Sequence, residues 1–437
     1  MTRTNLAKGA FGLSAIVLVF VCGVLVGHFR LFPYRFIAGG IDALARIYAE
    51  RETLLRIRPA ELLQPARYPG SGVTRFNKDE AEPGLTLLSS VFDGGNEVRL
   101  IRLDGTVVRR WPVRFFDIFK DVSHVSPDDV PTSEWNVTTH GAVALPDGSI
   151  VFNFEYLGTA KLDRCGAVQW TLARTTNHSL ERTADGRFWT INEVYRQHES
   201  PFPLLHAPFS EQLAMQLSAD GKVIRDISAP GLFFKNDLAA LLFSNGLRGT
   251  DVPSEDLTHL NDVEELSAAM APRFPAFAAG DLLLSMRNLN LLMVIDPNTE
   301  RVKWQQTGPW IAQHDPDFQP NGTISVFSNN DDRTRTGSIL GGSRIMEVDP
   351  ATGRTSVRYG GTAEQTMFSS RRGDHQYLDH GHVLIDESES GRVFEVNQQD
   401  AIVWEFINRY DSSRVGIVMG ATRYREDYFT VRDWSCR

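Results

Sequence analysis

The chain has 437 residues and carries 45 Lys plus Arg against 54 Asp plus Glu, a formal net charge of −9. That balance excludes a protein that grips nucleic acid through a basic face. Its 35 Gly, 21 Pro and 8 Trp belong to many short strands joined by tight turns, not to a long helical bundle, and repeat-built β architectures reach this length as a single body.

Residues 9–27, GAFGLSAIVLVFVCGVLVG, run for 19 residues without a charge, enough to cross a hydrocarbon core as a helix. Lys8 precedes the run, and His28, Arg30 and Arg35 follow it. A cleaved leader would have a shorter apolar stretch and a small-x-small site, and no convincing site precedes Phe29-Arg30-Leu31-Phe32-Pro33. We read residues 1–35 as a tail and uncleaved single-pass anchor. Basic residues on both flanks leave its orientation unread from charge. Residues 36–66 space apolar residues at helical intervals, which predicts a juxtamembrane amphipathic helix ended by Pro59 or Pro65. Residues 36–70 then form a linker, and residues 71–437 the main body.

Cys22 lies in the apolar run, leaving Cys165 and Cys436. An oxidising compartment would let these two pair, but spacing alone does not bring their Cα atoms together. No CxxC or zinc-type Cys/His spacing occurs, and no metal or cofactor is expected.

Beyond residue 70 a two-part pattern returns six times. The first part is a turn and an apolar strand: EPGLTLLSS (82–90), PDGSIVFNF (146–154), ADGRFWTIN (184–192), AAGDLLLSM (278–286), PNGTISVFS (320–328) and DHGHVLIDE (379–387). The second is an apolar residue, a turn and another strand: LDGTVVRRW (103–111), LDRCGAVQW (162–170), LSADGKVIRDI (217–227), IDPNTERVKW (295–304), VDPATGRTSVRY (348–359) and VNQQDAIVW (396–404). Turns of this kind between alternating apolar runs are hairpin signals. Six four-stranded units predict an all-β, six-bladed β-propeller, whose radial closure removes exposed sheet edges. Segments 237–249 and 262–274 read as helical inserts, placed to cover the channel mouth or to pack as ornament. ATRYREDYFTV (421–431) reads as a further strand able to close the ring on the first blade.

The 11 histidines are not scattered. His140, His178 and His314 each lie eight residues before a turn glycine, His375 lies six before Gly381, and His259 precedes Gly280 across the insert. If the strands that carry them line the channel, ring closure gathers them at one end. Imidazole is a nucleophile when neutral and a donor to developing anionic charge when protonated, and Arg287 in SMRNLN follows the His259 repeat closely enough to join them.

At these residues a family resemblance appears. NHSLERTADGRFWTINE, THLNDVEEL with GDLLLSMRNLNLLMVIDPNTERVKW, QHDPDFQPNGTISVFSNN with SRIMEVDPATG, and SGRVFEVNQQDAIVWEF followed by ATRYREDY resemble the arylsulfotransferase family, over about residues 80–430. The resemblance implies a six-bladed periplasmic propeller that moves a sulfuryl group from an aryl sulfate to a phenolic acceptor without a nucleotide donor. The missing GxxxxGK phosphate loop agrees with that. It further implies His314 as the nucleophile that becomes a sulfohistidine, with His259 and Arg287 stabilising charge. His178 would be a further stabiliser or a proton shuttle, and His140 and His375 additional channel candidates. Two other readings compete: a non-catalytic, membrane-tethered scaffold or ligand-binding propeller, and a quinone-cofactor dehydrogenase, whose turns resemble DPNTERVKW and DPATG but whose propellers usually have eight blades.

Overall fold

The computed structural model describes residues 3–29, 59–127, 129–243 and 256–436, together with isolated positions between 31 and 40. Its contacts divide the chain into two units, Met1–Glu61 and Leu62–Arg437. In the first, Arg3–His28 is one helix of 26 residues, about 39 Å long at the usual rise. Its segment Phe11–His28 is long and apolar enough to cross a membrane. The juxtamembrane helix expected over 36–66 lies mostly outside the described residues. Its described end is not α-helical, being a single 3₁₀ turn at Ala60–Leu62 and a short strand at Leu63–Pro65.

The second unit is a six-bladed β-propeller. Each blade is an antiparallel meander of four strands, with a fifth on the outer edge of blade 6. The innermost strands are Val418–Tyr424 in blade 1, Thr139–Ala144 in blade 2 and Thr176–Arg182 in blade 3. Leu260–Glu265, His314–Phe318 and Asp374–Tyr377 follow in blades 4 to 6. Blade 2 shows the local logic. Asp147 accepts from the Ser149 N–H at 3.0 Å, and Gly148 takes φ of 80°, a left-handed angle that costs glycine little. Ile150–Phe154 leaves that turn buried throughout. Indoles join neighbouring blades: Trp111 Nε1 donates to the Asp163 carbonyl at 3.0 Å, Trp189 to Glu265 at 2.8 Å, and Trp404 to the Leu103 carbonyl at 2.7 Å.

Both ends of the propeller unit help to close the ring. Val418–Tyr424 pairs with Leu85–Phe92, so the expected closing strand exists but is shorter and earlier than 421–431. Residues Glu426–Tyr428 form a 3₁₀ turn instead. Gly72–Phe76 pairs with Ile402–Ile407 on the outside of blade 6. Arg423 fastens the closing strand from within, donating to Thr86 Oγ1 at 2.7 Å, to the Glu82 carbonyl at 2.7 Å and to Glu395 at 3.1 Å. Cys165 and Cys436 form a disulfide, their Cα atoms 5.6 Å apart.

The inserts meet expectation only in part. Residues 262–265 are not helical; they belong to the innermost strand of blade 4, and only Ala271–Arg273 forms a short 3₁₀ turn beyond it. The run DVEEL has apolar residues at helical spacing, but the edge of the next strand offers it a complete hydrogen-bond ladder, and pairing overrides so weak a local preference. The other insert, 237–249, holds a short helix at Ala239–Leu242 in its described part, and a further helix, Ala229–Lys235, lies just ahead of it. Leu242 is buried with Leu232, Phe233, Leu282, Leu284 and Met293, so the described part packs in the seam between blades 3 and 4. Residues 244–255 lie outside the described residues.

Candidate active site

In four blades the innermost strand slips by a bulge at or beside its histidine. The slips fall between His140 and Ala142, Asn177 and Leu180, Leu260 and Asp262, and His314 and Asp317. A bulge re-aims side chains at the rim of a sheet. Here it coincides with left-handed backbone at Gly141 (φ 64°), His178 (55°), His259 (48°) and Asp315 (53°). Such angles in residues with a Cβ cost free energy and concentrate at functional sites.

The shared register is real for three histidines and approximate for two. His140, His178 and His314 stand four residues before the last paired residues Ala144, Arg182 and Phe318. In blade 4 that position is Asn261, and His259 enters from two residues earlier. In blade 6 it is Gly373, and His375 stands two places further along a strand that pairs without a slip.

The fold brings four of the predicted histidines and Arg287 together. The His140 and His178 ring centroids lie 4.9 Å apart, as do those of His178 and His259. His314 completes the row within electrostatic reach of Arg287, His259 and His140. His375 lines the same channel, but its nitrogens are engaged elsewhere, Nδ1 with Asp315 at 2.9 Å and Nε2 with Ser325 at 2.7 Å. It is not part of the row.

Each ring's protonation follows from its partners. Asn329 Nδ2 donates to the carbonyls of Ser369 at 2.9 Å and Arg372 at 2.6 Å, which fixes its Oδ1 as an acceptor. His314 Nδ1–H donates to that oxygen at 2.7 Å, so Nε2 is the unprotonated nitrogen, and the Arg372 backbone N–H donates to it at 3.3 Å. Burial, and then the Arg287 charge, hold His314 well below the imidazole range. Burial and the neighbouring imidazoles do the same to His178. Burial takes His140 down to about 4. The buried Nδ1 atoms of His140 and His178 have no hydrogen-bond partner, an uncommon expense outside a binding site. His259 bonds through Nδ1 to Asp256, whose other oxygen accepts the His259 backbone N–H at 3.0 Å. That pairing outweighs burial and holds Asp256 low.

Arg287 follows the second strand of blade 4, and its backbone N–H donates to the His259 carbonyl at 3.0 Å. Its guanidinium is half-buried, with Asp331 and Asp256 for counter-charges. Sequence reasoning missed a second guanidinium, that of Arg372, which reaches Glu155 at 3.1 Å beside His140. It also missed Asn329, Asp256 and Glu155. Only Arg372 had a visible signal, the Arg-Arg pair just ahead of Gly373. Close packing holds the row in place: a Cβ at Gly141 would lie 2.5 Å from the His178 carbonyl and 2.9 Å from the Leu180 nitrogen. Gly141→Ala is expected to destabilise the propeller by about 1–3 kcal/mol, read as a lowered melting temperature.

Three imidazoles held neutral by burial, with His259 and the guanidinium groups of Arg287 and Arg372 beside them in a channel built by six blades, make a site suited to an anionic group. Residues 141–409 match the family described as Arylsulfotransferase (ASST), and the chain belongs to that family. It is an enzyme of the aryl sulfotransferase class. No curated protein matches the chain. Among solved structures it is similar to a protein of unknown function from Bacteroides caccae, at 11% identity and TM-score 0.49, covering 78% of this chain and 98% of that one. It is also similar to virginiamycin B lyase from Staphylococcus aureus, at 10% identity and TM-score 0.39, covering 77% and 89%.

Proposed function

We propose that the chain transfers a sulfuryl group from an aryl sulfate to a phenolic acceptor in two half-reactions through a sulfohistidine at His314. In the first, His314 Nε2 attacks sulfur, the sulfur–aryl oxygen bond breaks and the phenol leaves with a proton. In the second, a phenolic acceptor gives up its proton, its oxygen attacks the same sulfur, and the nitrogen–sulfur bond breaks. The sulfuryl oxygens carry dispersed charge in so loose a transition state, so fixed cationic donors are the main requirement. Arg287 and His259 are suited to that role, with Arg372 as a further cation, and His178 to stabilising charge or passing the proton.

The observation that carries this reading is the environment of His314, a buried imidazole held neutral, with Nδ1 pinned by Asn329 and an unprotonated Nε2 that accepts only a long bond from the Arg372 N–H. Incubation with a nitrophenyl sulfate ester should release a burst of nitrophenol equal in amount to the protein and leave acid-labile sulfate on the chain. Intact protein that gives no burst would overturn the proposal.

Proton linkage supplies a second check. The attacking form is the unprotonated one, and a lowered pKa keeps it available in mildly acidic solution. The burst rate is therefore expected to stay level from about pH 8 to about pH 6, where an ordinary imidazole with pKa near 6.5 would already be losing its nucleophile. A decline centred near 6.5 would contradict it.

Residues 71–437 would be the catalytic propeller, tethered through 36–70 to an anchor in 1–35, on the extracytoplasmic side. The Cys165–Cys436 bridge supports that side, because such bonds persist in oxidising compartments.

A further inference from the structure

Among the described residues, His259 is the one ring of the row with a carboxylate hydrogen-bonded to it. One Asp256 oxygen bonds its Nδ1, and the other accepts the His259 backbone N–H at 3.0 Å and Gln212 Nε2–H at 2.9 Å. Gln212 lies in Phe209–Leu217, the third strand of blade 3, and the Thr258 hydroxyl donates to its Oε1 at 2.6 Å. From blade 4, Asn288 Nδ2 donates to the Asp256 carbonyl at 2.9 Å. Contacts from two blades therefore fix where this carboxylate stands.

The other three rings are poorly placed to hold a proton. His314 gives its Nδ1–H to a neutral amide, and the buried Nδ1 atoms of His140 and His178 meet no partner. Burial disfavours an imidazolium that lacks a bonded counter-charge, and it is the first cause lowering all three. Glu155 acts on His140 in the opposite sense, but burial outweighs it. His259 stands within electrostatic reach of Glu155 and Glu193 as well as Asp256. Arg287, which Asp256 also offsets, and the three neighbouring imidazoles are the groups that oppose them.

We infer that His259 is the proton carrier of the transfer, and that Asp256 is the positioning residue that gives it this role. The role rests on the sulfuryl transfer proposed above, and it falls to His259 in preference to His178. A carboxylate bonded to one imidazole nitrogen fixes the tautomer and stabilises the ring while the other nitrogen takes up or releases a proton. With Nδ1 turned to Asp256, Nε2 is the nitrogen left for a substrate. In the first half-reaction His314 Nε2 bonds to sulfur and the sulfur–oxygen bond breaks. The proton on His259 Nε2 moves to the departing aryl oxygen, leaving a neutral ring beside anionic Asp256. In the second, the acceptor hydroxyl returns a proton to His259 Nε2 as its oxygen attacks sulfur, and the nitrogen–sulfur electron pair goes back to His314. The cycle neither gains nor loses a proton.

The test takes the full chain in detergent through a series of aryl sulfates, from the nitrophenyl ester, whose phenolate is stable enough to leave without a proton, to the unsubstituted phenyl ester, whose phenolate is not. In the parent the burst rate should fall only shallowly along the series. In Asp256→Asn the nitrophenyl burst should stay within about tenfold of the parent, while the phenyl ester drops at least about a hundredfold below it, the usual worth of a positioned acid. His259→Gln should repeat that pattern, and His178→Gln should lower both esters alike. A common loss on every ester in Asp256→Asn and His259→Gln would reduce the pair to a structural prop and overturn the inference, as would the steep pattern in His178→Gln alone. A parent that gives no burst even with the nitrophenyl ester would instead sink the transfer itself, and this role with it. Should Asp256→Asn fail to fold, His259→Gln decides the comparison.

Discussion

Replacing His314 with alanine should abolish the nitrophenol burst and the protein-bound sulfate together and lower turnover by at least about a thousandfold, as removal of a nucleophile does. The propeller should survive, because the strand bearing His314 is held by its ladder to Ile324–Ser328 and the imidazole makes one strong hydrogen bond, to Asn329. Folding can be checked by melting, and chemistry by burst amplitude and mass of the intact chain. His314→Ala protein that still acquires acid-labile sulfate would move the nucleophile to another ring of the row, and His259, oriented by Asp256, would be the next to test.

The second large effect falls on Arg287. Removing its charge with Arg287→Met should cost about 10²–10³ in kcat, or about 3–4 kcal/mol, the usual size for one preorganised donor to a developing anion. The loss should appear in kcat more than in KM, because sulfuryl charge spreads over its oxygens chiefly in the transition state. The same change removes the cation that helps to hold His314 low, so the remaining burst should begin to weaken at a higher pH than in the parent. An unaltered kcat with a raised KM would reduce Arg287 to a general anion anchor.

Much of this was legible in the chain because a repeat writes the same instruction many times. The Asp-Gly and Asp-Pro turns gave six blades, and the histidines before those turns gave the row, since a strand's period fixes which face each residue takes. The closing strand was legible only in part: 421–431 was expected, and Val418–Tyr424 is what forms. What sequence spacing did not carry was contact between segments distant in the chain. Asn329 orients His314 from beyond the end of the neighbouring strand, and Arg372 meets Glu155 from across the channel; Asp256 is only three residues from His259, but nothing in strand spacing turns its carboxylate back to the ring. The misread stretch at 262–265 shows the converse, where apolar spacing matched a helix but a waiting strand edge decided the outcome. His375 matched the pattern in sequence and missed the row in space, because its strand lacks the slip that re-aims the others.

The strand that completes blade 1 follows, in chain order, every imidazole of the row. A chain whose last strand is not yet docked therefore possesses every ring of the row but no closed cavity to hold them. Until then Leu85–Phe92, buried along its whole length in the finished ring, presents a bare edge to any passing polypeptide. Maturation is thus close to all-or-none, with the Cys165–Cys436 bridge latching the ring shut once the seam has formed.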